Sequence, residues 1–584
     1  MLEYTAISFA PVQGFIEKSR KLRDLYGASL ILSFLSSKLV QKAKSLGLEV
    51  ISPGLPTIQE GMPNRILIEG KFDRNDVKNT LLKEWQTILQ VCRVWVENNL
   101  GIPINQYCWS QTEDQKGKQK GEWERWGSYT WEIFWGYGKS VQEAMDDLET
   151  RKLKRDWSAI NWMGESSSLT GTDAIAWHQL GKESNQPGGT LTDKEQRELQ
   201  KFYHRLAWIL DEPYSRNRRA RERTKIPIPS DAELEIYFAP KKNDSSGKEE
   251  NSGGKFLAPN EKISIPELVK RLVTLPYLAK KIGMEELDEG FKDITRDTGY
   301  WTGWFMGDGD KVGDKLKVLA SRHENDTQKR DEKLKKFTDL MRQWGKDFQG
   351  NDKLFPQGKG RVIYAGGDDF LGVLYSEEKS LEKPEKVKPI EALNWLLTLE
   401  THWQTLQNDI KQQLNLDFTY SVGFVWAGHQ VPQRDILQHC REAEKRAKSL
   451  GRDRVTIRVV FNSGQYVQWT CPWDYLHILK SYSDRDGKTW GQDPNWTHIY
   501  NDWAQLKTRH AIRLKQKEKD GIFAQEQIAL ALFDLYFNDA GKTFSQQRLW
   551  GDIAGDSNDI NRAIVNWIND LIQVGWQLCR NSNI

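Results

Sequence analysis

Three aspartates stand where apolar runs end. Asp308 follows Trp301 to Met306, and Asp368-Asp369 lie between Arg361 to Ala365 and Phe370 to Tyr375. The second pair of runs reads as a hairpin with Gly366-Gly367-Asp368-Asp369 at its tip. A strand running into the acidic turn Gly307 to Asp310, beside such a hairpin, collects three carboxylates at one end of adjacent strands. Two carboxylates about 4 Å apart repel by roughly 4 kcal/mol at an effective dielectric near 20, so a proton or a bound cation must relieve them. Oxygen-only ligation selects Mg²⁺ or Mn²⁺ over zinc. Gly366 and Gly367 supply the tight turn and remove side chains where a nucleotide approaches the backbone. Asp310, two residues beyond Asp308, is a further candidate metal ligand, with a structural role as its alternative. Gly and Asp are common turn residues, so a plain hairpin turn is the competing reading, and the surroundings must decide.

Those surroundings alternate strands with helices. Thr5 to Phe9 reads as a strand, Pro11 opens a helix, and Phe15, Leu22, Leu25, Leu32 and Leu35 continue at helical spacing. Arg65 to Ile68 reads as a second strand. Asp76 to Leu100 reads as a helix with Leu82, Trp85, Leu89, Cys92 and Val96 on its apolar face, and Thr130 to Trp135 as another strand. This order predicts an α+β sandwich of ferredoxin-like type. From Asp156 to Asp297 the signals are mixed, with an Arg-rich run from Arg216 to Arg223 and a polar linker from Lys241 to Lys255 expected to be a disordered loop. Helical sequence follows the acidic turn to about Leu340. Beyond the hairpin, a strand Thr419 to Trp426, a helix Arg434 to Leu450 and a strand Val455 to Val460 complete a second α+β unit. After about Pro472 the chain reads as mostly helical, with one stripe at Ala524, Ile528, Leu532 and Leu535 and a second helix over Ile560 to Leu578. The expected domains are 1–155, an insertion over 156–298, 299–470 and a helical C-terminal domain over 471–584.

Composition narrows the class without naming a chemistry. The 584 residues carry 38% hydrophobic and 28% charged side chains, which describes a folded, soluble multidomain chain. A net charge of +3 confines any polyanion site to a local patch. Arg216 to Arg223 and Lys507 to Lys519 are candidate RNA-phosphate contacts, with solvated faces or protein contacts as the alternative. The 25 tryptophans are expected mostly in cores and interfaces. Five scattered cysteines without a C-x-x-C pair predict free thiols, a reducing cytoplasm and no zinc ribbon. Ala28 to Leu35 is too short for a membrane span. A P-loop is excluded, because the glycine required five residues before Gly138, Gly487 and Gly541 is replaced by Ile133, Tyr482 and Tyr536.

Downstream of the hairpin, Ala447-Lys448-Ser449-Leu450-Gly451-Arg452-Asp453-Arg454-Val455 resembles the A-K-x-x-G-R-N-R-V segment that follows the GGDEF signature of nucleotidyl cyclases. The resemblance implies that Lys448 and Arg452 bind phosphate; a basic helix end complementing the helix dipole is the alternative. Ile7 to Ile16, Arg20 to Ser29, Met62 to Arg65, Glu267 to Leu272 and Met306 to Gly313 resemble, in the same order, segments of the Cmr-type large subunit of type III CRISPR complexes. That resemblance spans most of positions 1 to 465. It implies two ferredoxin-like palm domains, the second GGDEF/cyclase-like and alone in bearing the acidic hairpin, with ATP held between them.

The resemblance further implies a cyclase converting ATP to cyclic oligoadenylate and pyrophosphate once target RNA binds the guide-loaded complex. Asp308, Asp368 and Asp369 are then the catalytic and metal-holding residues with Mg²⁺ or Mn²⁺, and Gly366, Gly367, Lys448 and Arg452 face the nucleotide. The implied partners are other subunits of the complex, guide RNA, target RNA and ATP, with no membrane. Two departures shape the expectation. None of the nine histidines forms a His-Asp dipeptide, so no HD-type DNase activity is expected. The region Ser166 to Gly181 lacks the cysteines of the family's zinc site, so His178 is expected to be an ordinary core or surface residue. The competing readings are a catalytically silent scaffold subunit, a palm enzyme joining AMP to another small molecule, and a stand-alone cyclase using GTP.

Overall fold

The computed structural model describes residues 3–52, 65–110, 121–154, 165–180, 191–215, 227–239, 256–287, 291, 293–294, 298–323, 326–350, 355, 359–366, 368–376, 385–513, 525–538, 540, 550–556 and 558–579. Two compact units divide the chain, Met1–Phe291 and Lys292–Ile584. Among the described residues no helix is long and apolar enough to cross a membrane, and the five cysteines are free thiols.

In the first unit, β1 (Tyr4–Ala10), α1 (Leu22–Ser45), β2 (Glu49–Ser52), β3 (Arg65–Glu69), α2 (Arg74–Asn99) and β4 (Glu132–Gly138) follow one another. Their sheet has the order β2-β3-β1-β4 with antiparallel pairs throughout, a ferredoxin-like βαββαβ topology. The sequence reading omitted β2, whose four residues are too short to show alternation. It also ran one helix through Phe15 to Leu35. The structure instead ends a short helix at Glu17 and starts α1 at Leu22, because Asp24 Oδ2 accepts the backbone N–H groups of Arg20 and Lys21, each at 3.0 Å. On α2 the buried residue is Leu81, not Leu82.

The described residues between 165 and 291 belong to this same unit. They supply α3 (Asp193–Ser215) and α4 (Ile265–Leu272), and α4 lies against α1 so closely that a Cβ on Gly27 would stand 1.8 Å from the Lys270 carbonyl oxygen. Arg271 is fully buried at this contact. Its Nε and Nη2 donate to Asp24 at 2.7 and 3.1 Å, and Nη1 and Nη2 donate to Glu261 at 3.0 and 2.8 Å. Lys270 donates to the carbonyls of Phe15 and Lys18, closing the end of the first short helix. The Arg20 to Ser29 and Glu267 to Leu272 segments are thus packing partners of each other.

The second unit repeats the topology and extends it. β5 (Thr302–Gly309), α5 (Val312–Ser321), α6 (Thr327–Gly350), β6 (Gly360–Ala365), β7 (Asp369–Leu374), α7 (Pro389–Leu414), β8 (Tyr420–Ala427), α8 (Gln433–Ser449), β9 (Arg454–Val460) and β10 (Tyr466–Pro472) build a sheet of order β10-β9-β8-β5-β7-β6. β8 and β9 are parallel, joined by α8 as a crossover helix, and β10 returns antiparallel. Within the expected 299–470 domain, β10 and α7 are elements that the sequence alone does not single out.

Phe305, Phe348, Phe370, Trp395, Trp403 and Tyr420 stack beneath the sheet, with ring centroids at 4.1 Å for Phe305–Trp395 and 3.4 Å for Trp403–Tyr420. Tryptophan here is core material, as expected. α9 (Gln525–Tyr536) and α10 (Ile560–Cys579) follow, and α10 packs on β10 with Trp567 Nε1 donating to the Thr470 carbonyl at 2.9 Å. On α9 the buried stripe is Ala529, Phe533 and Tyr536, whereas Leu535 is 71% exposed and Ala524 lies outside the described residues. The aromatic rings, which bury more area than leucine, set that helix's rotation.

Candidate active site

Hydrogen-bond register brings the acidic residues together. β5 continues through Gly309, so Asp308 lies in the strand and not in a turn, with Asp369 opposite it on β7 and Ser421 opposite it on β8. The Gly309 amide donates to the Asp368 carbonyl at 2.8 Å, tying the end of β5 to the hairpin tip. Gly366 N–H donates to the Asp369 carbonyl at 3.0 Å and closes that hairpin. Gly367 lies outside the described residues. The approach leaves no room for a side chain at Gly309, where a Cβ would stand 2.7 Å from Phe418, 2.8 Å from Val312 and 3.1 Å from the Asp368 Cβ.

Gathering the carboxylates has an electrostatic cost. Burial first, then the charges of Asp368 and Asp308, push the Asp369 carboxyl up to about 8. The same surroundings, burial foremost and Asp369 and Asp308 after it, hold the Tyr364 hydroxyl well above its ordinary range. A basic residue answers the charge: the Lys448 ammonium, on the last turn of α8, contacts Asp308 Oδ2 and stands 2.5 Å from Glu444 Oε1 one turn earlier on the same helix. Among the described residues no three His, Cys, Asp or Glu side chains are drawn together as an ion-holding group. The donor chemistry nevertheless fits a hard divalent cation, since the cluster is oxygen-only and the burial and like charge that hold Asp369 toward its neutral form are relieved by a bound cation.

Asp310 is placed differently. It is 3% exposed, accepts from Thr419 Oγ1 at 2.9 Å and Ser421 Oγ at 2.8 Å, and takes the backbone N–H of Asp453 at 3.0 Å. It therefore anchors the loop after α8, in which Arg452 and Asp453 adopt φ values of 65° and 50° that side-chain-bearing residues rarely take. Arg452 sits on that anchored loop, immediately past Lys448 and its helix.

Glu444 and Tyr364 escaped the sequence reading. Glu444 stands four residues before Lys448, the spacing that pairs side chains on a helix, so the signal was present. Tyr364 carried none, because its place beside Asp369 depends on strand pairing. His178 is a buried core histidine, stacked on Phe202 at 5.4 Å, with burial pushing its imidazole down to about 4. The Arg216 to Arg223 cluster and the Lys241 to Lys255 linker lie outside the described residues, as does Lys507 to Lys519 beyond Arg513.

The second unit thus sets a ferredoxin-like β8-β5-β7-β6 core, with Asp308 paired to Asp369 at one end of it and the Asp368-Asp369 hairpin tip beside them. Residues 301–456 match the family model of the Cas10/Cmr2 second palm domain, and residues 4–60 match that of the N-terminal region of CRISPR-associated protein Cmr2. No curated protein matches the chain. Among solved structures, the apo Csm1–Csm4 cassette is similar at 13% identity and TM-score 0.44, covering 99% of this chain and 70% of that one. Csm1 from T. onnurineus is similar at 11% identity and TM-score 0.43, with 99% and 70% covered. The Csm1–Csm4 cassette in complex with pppApApA is similar at 12% identity and TM-score 0.44, with 99% and 69% covered.

Proposed function

We propose that this chain is the Cmr-type large subunit of a type III CRISPR effector complex and that its second unit is an ATP-using nucleotidyl cyclase making cyclic oligoadenylate when target RNA binds. The observation that carries the reading is the pairing of Asp308 with Asp369, beside Asp368 and under Lys448, inside the stretch matched by the Cas10/Cmr2 second palm model. Asp308, Asp368 and Asp369 would hold Mg²⁺ or Mn²⁺, which when bound supplies Lewis-acid activation of a 3′-hydroxyl and neutralises charge at an α-phosphate. The chain's own residues do the positioning. The close packing at Gly309 holds the end of β5 against the hairpin tip, and Gly366 and Gly367 are the residues proposed to face the nucleotide. Lys448 and Arg452 meet its triphosphate, where each charge-assisted contact contributes roughly 1.5 to 3 kcal/mol. Asp310 holds the loop that presents Arg452. Other complex subunits, guide RNA and target RNA are the partners of this reading.

The test is to incubate the assembled complex with labelled ATP, Mg²⁺ and target RNA and to identify the products by mass. Cyclic oligoadenylate that disappears in the Asp368→Ala/Asp369→Ala variant, with assembly unchanged, is the expected result. A product joining AMP to another molecule, or none from an intact complex, would replace the reading with the conjugating enzyme or the silent scaffold.

A further inference from the structure

The Lys448 contact does more than the phosphate role requires. Its ammonium is shared between Asp308, at the end of β5, and Glu444, whose side chain is only 9% exposed and which sits on the same helix face four residues earlier. In this arrangement Asp308 is engaged by a protein cation. A cation on Asp308 must therefore compete with Lys448. Glu444 has the wrong charge to touch a phosphate, and it pairs with Lys448 from one turn earlier on α8.

We infer that Glu444 is a positioning residue, holding Lys448 in a two-position exchange in which a divalent cation displaces its ammonium from Asp308 while Glu444 keeps it at the site to receive the nucleotide's phosphates. The inference rests on the cyclase reading and adds to it the coupling of metal entry to phosphate capture. Unliganded, the ammonium neutralises Asp308 and keeps the strand-end carboxylates tolerable. Once a cation replaces it, a lysine without Glu444 is a flexible stem free to leave, whereas a lysine paired one turn back stays within reach. Glu N-terminal to Lys at this spacing is the favourable orientation for a helical pair.

Two titrations of the full chain test this. The first follows Mn²⁺ binding without nucleotide, by the electron paramagnetic resonance signal of the free ion. Removing a competitor should tighten binding in Lys448→Met by about three- to tenfold, a charge-assisted contact discounted for its partial exposure. Arg452→Met, which deletes the same charge nearby but no contact to Asp308, should stay within about twofold of wild type. The second follows a non-hydrolysable ATP analogue at saturating Mn²⁺. Glu444→Gln should weaken it by about tenfold, the size of one lost charge-assisted contact, although deleting a negative charge would by field alone tighten an anion. Glu444→Asp should recover part of the loss.

Wild-type Mn²⁺ affinity in Lys448→Met, equal tightening in Arg452→Met, or analogue binding by Glu444→Gln at or above wild type would each overturn the exchange. Asp368→Ala/Asp369→Ala separates the two levels of the account. If that variant binds Mn²⁺ like wild type, the metal reading itself fails; if it loses Mn²⁺ while Lys448→Met is unchanged, only the exchange fails.

Discussion

Asp308 and Asp310 are two residues apart in one acidic stretch, yet they carry different duties. The difference lies in what meets them: Lys448 and the facing Asp369 for the first, two hydroxyls and a backbone amide for the second. Sequence spacing puts both at the right end of the strand, but hydrogen-bond register between distant strands decides what each of them meets. Asp310→Ala is therefore expected to lower the stability of the second unit by about 3 kcal/mol or more, since it strands buried donors that cost roughly 1 to 3 kcal/mol each. Mn²⁺ binding by the remaining folded protein should persist. Urea unfolding read beside Mn²⁺ titration checks this; lost metal with unchanged stability would make Asp310 a ligand instead.

At the scale of elements, the strands around the site were legible because apolar runs of five to eight residues bounded by Gly and Asp have few other readings. Less legible were features set by the partner surface. β2 and β10 pair with strands that sequence reasoning could not place beside them, and the rotation of α9 follows its aromatic side chains and not its leucines. The join of α1 and α4 is of the same kind. Gly27 and Lys270 are separated by most of the first unit in sequence, and only the fold makes the glycine obligatory. Gly27→Ala must push the helices apart and is expected to destabilise the first unit by about 1 to 3 kcal/mol, the usual cost of overpacking. A thermal or urea midpoint equal to wild type would mean that the two helices separate freely.

For the whole molecule, the two units repeat one topology, among the described residues only the second joins it to an acidic hairpin, and each contains one of the two matched stretches. The first unit carries its charge inside. Burial alone would raise the Glu261 carboxyl, but the Arg271 guanidinium, with Lys21 and Arg20 behind it, pulls it down to about 2 from an ordinary value near 4.5. A carboxyl depressed on folding adds stability that is present above its unfolded value and lost as pH falls toward the folded one. Stability of the first unit should therefore decline between about pH 4.5 and 2. Arg271→Met, which leaves Asp24 and Glu261 buried without their shared partner, is expected to cost about 3 to 5 kcal/mol near neutral pH. It should also flatten the acid limb of the profile, and an acid limb as steep as wild type would remove Arg271 from that role.

The proposed function has nucleotidyl transfer from ATP take place at the paired aspartates of the second unit. Pyrophosphate release from ATP by the target-RNA-bound complex, measured side by side for wild type and Asp368→Ala/Asp369→Ala, tests it most directly. The account predicts one pyrophosphate per AMP incorporated in the wild type, and none above background in the variant at equal assembly. Equal release by the two complexes would contradict it and move the chemistry away from this hairpin.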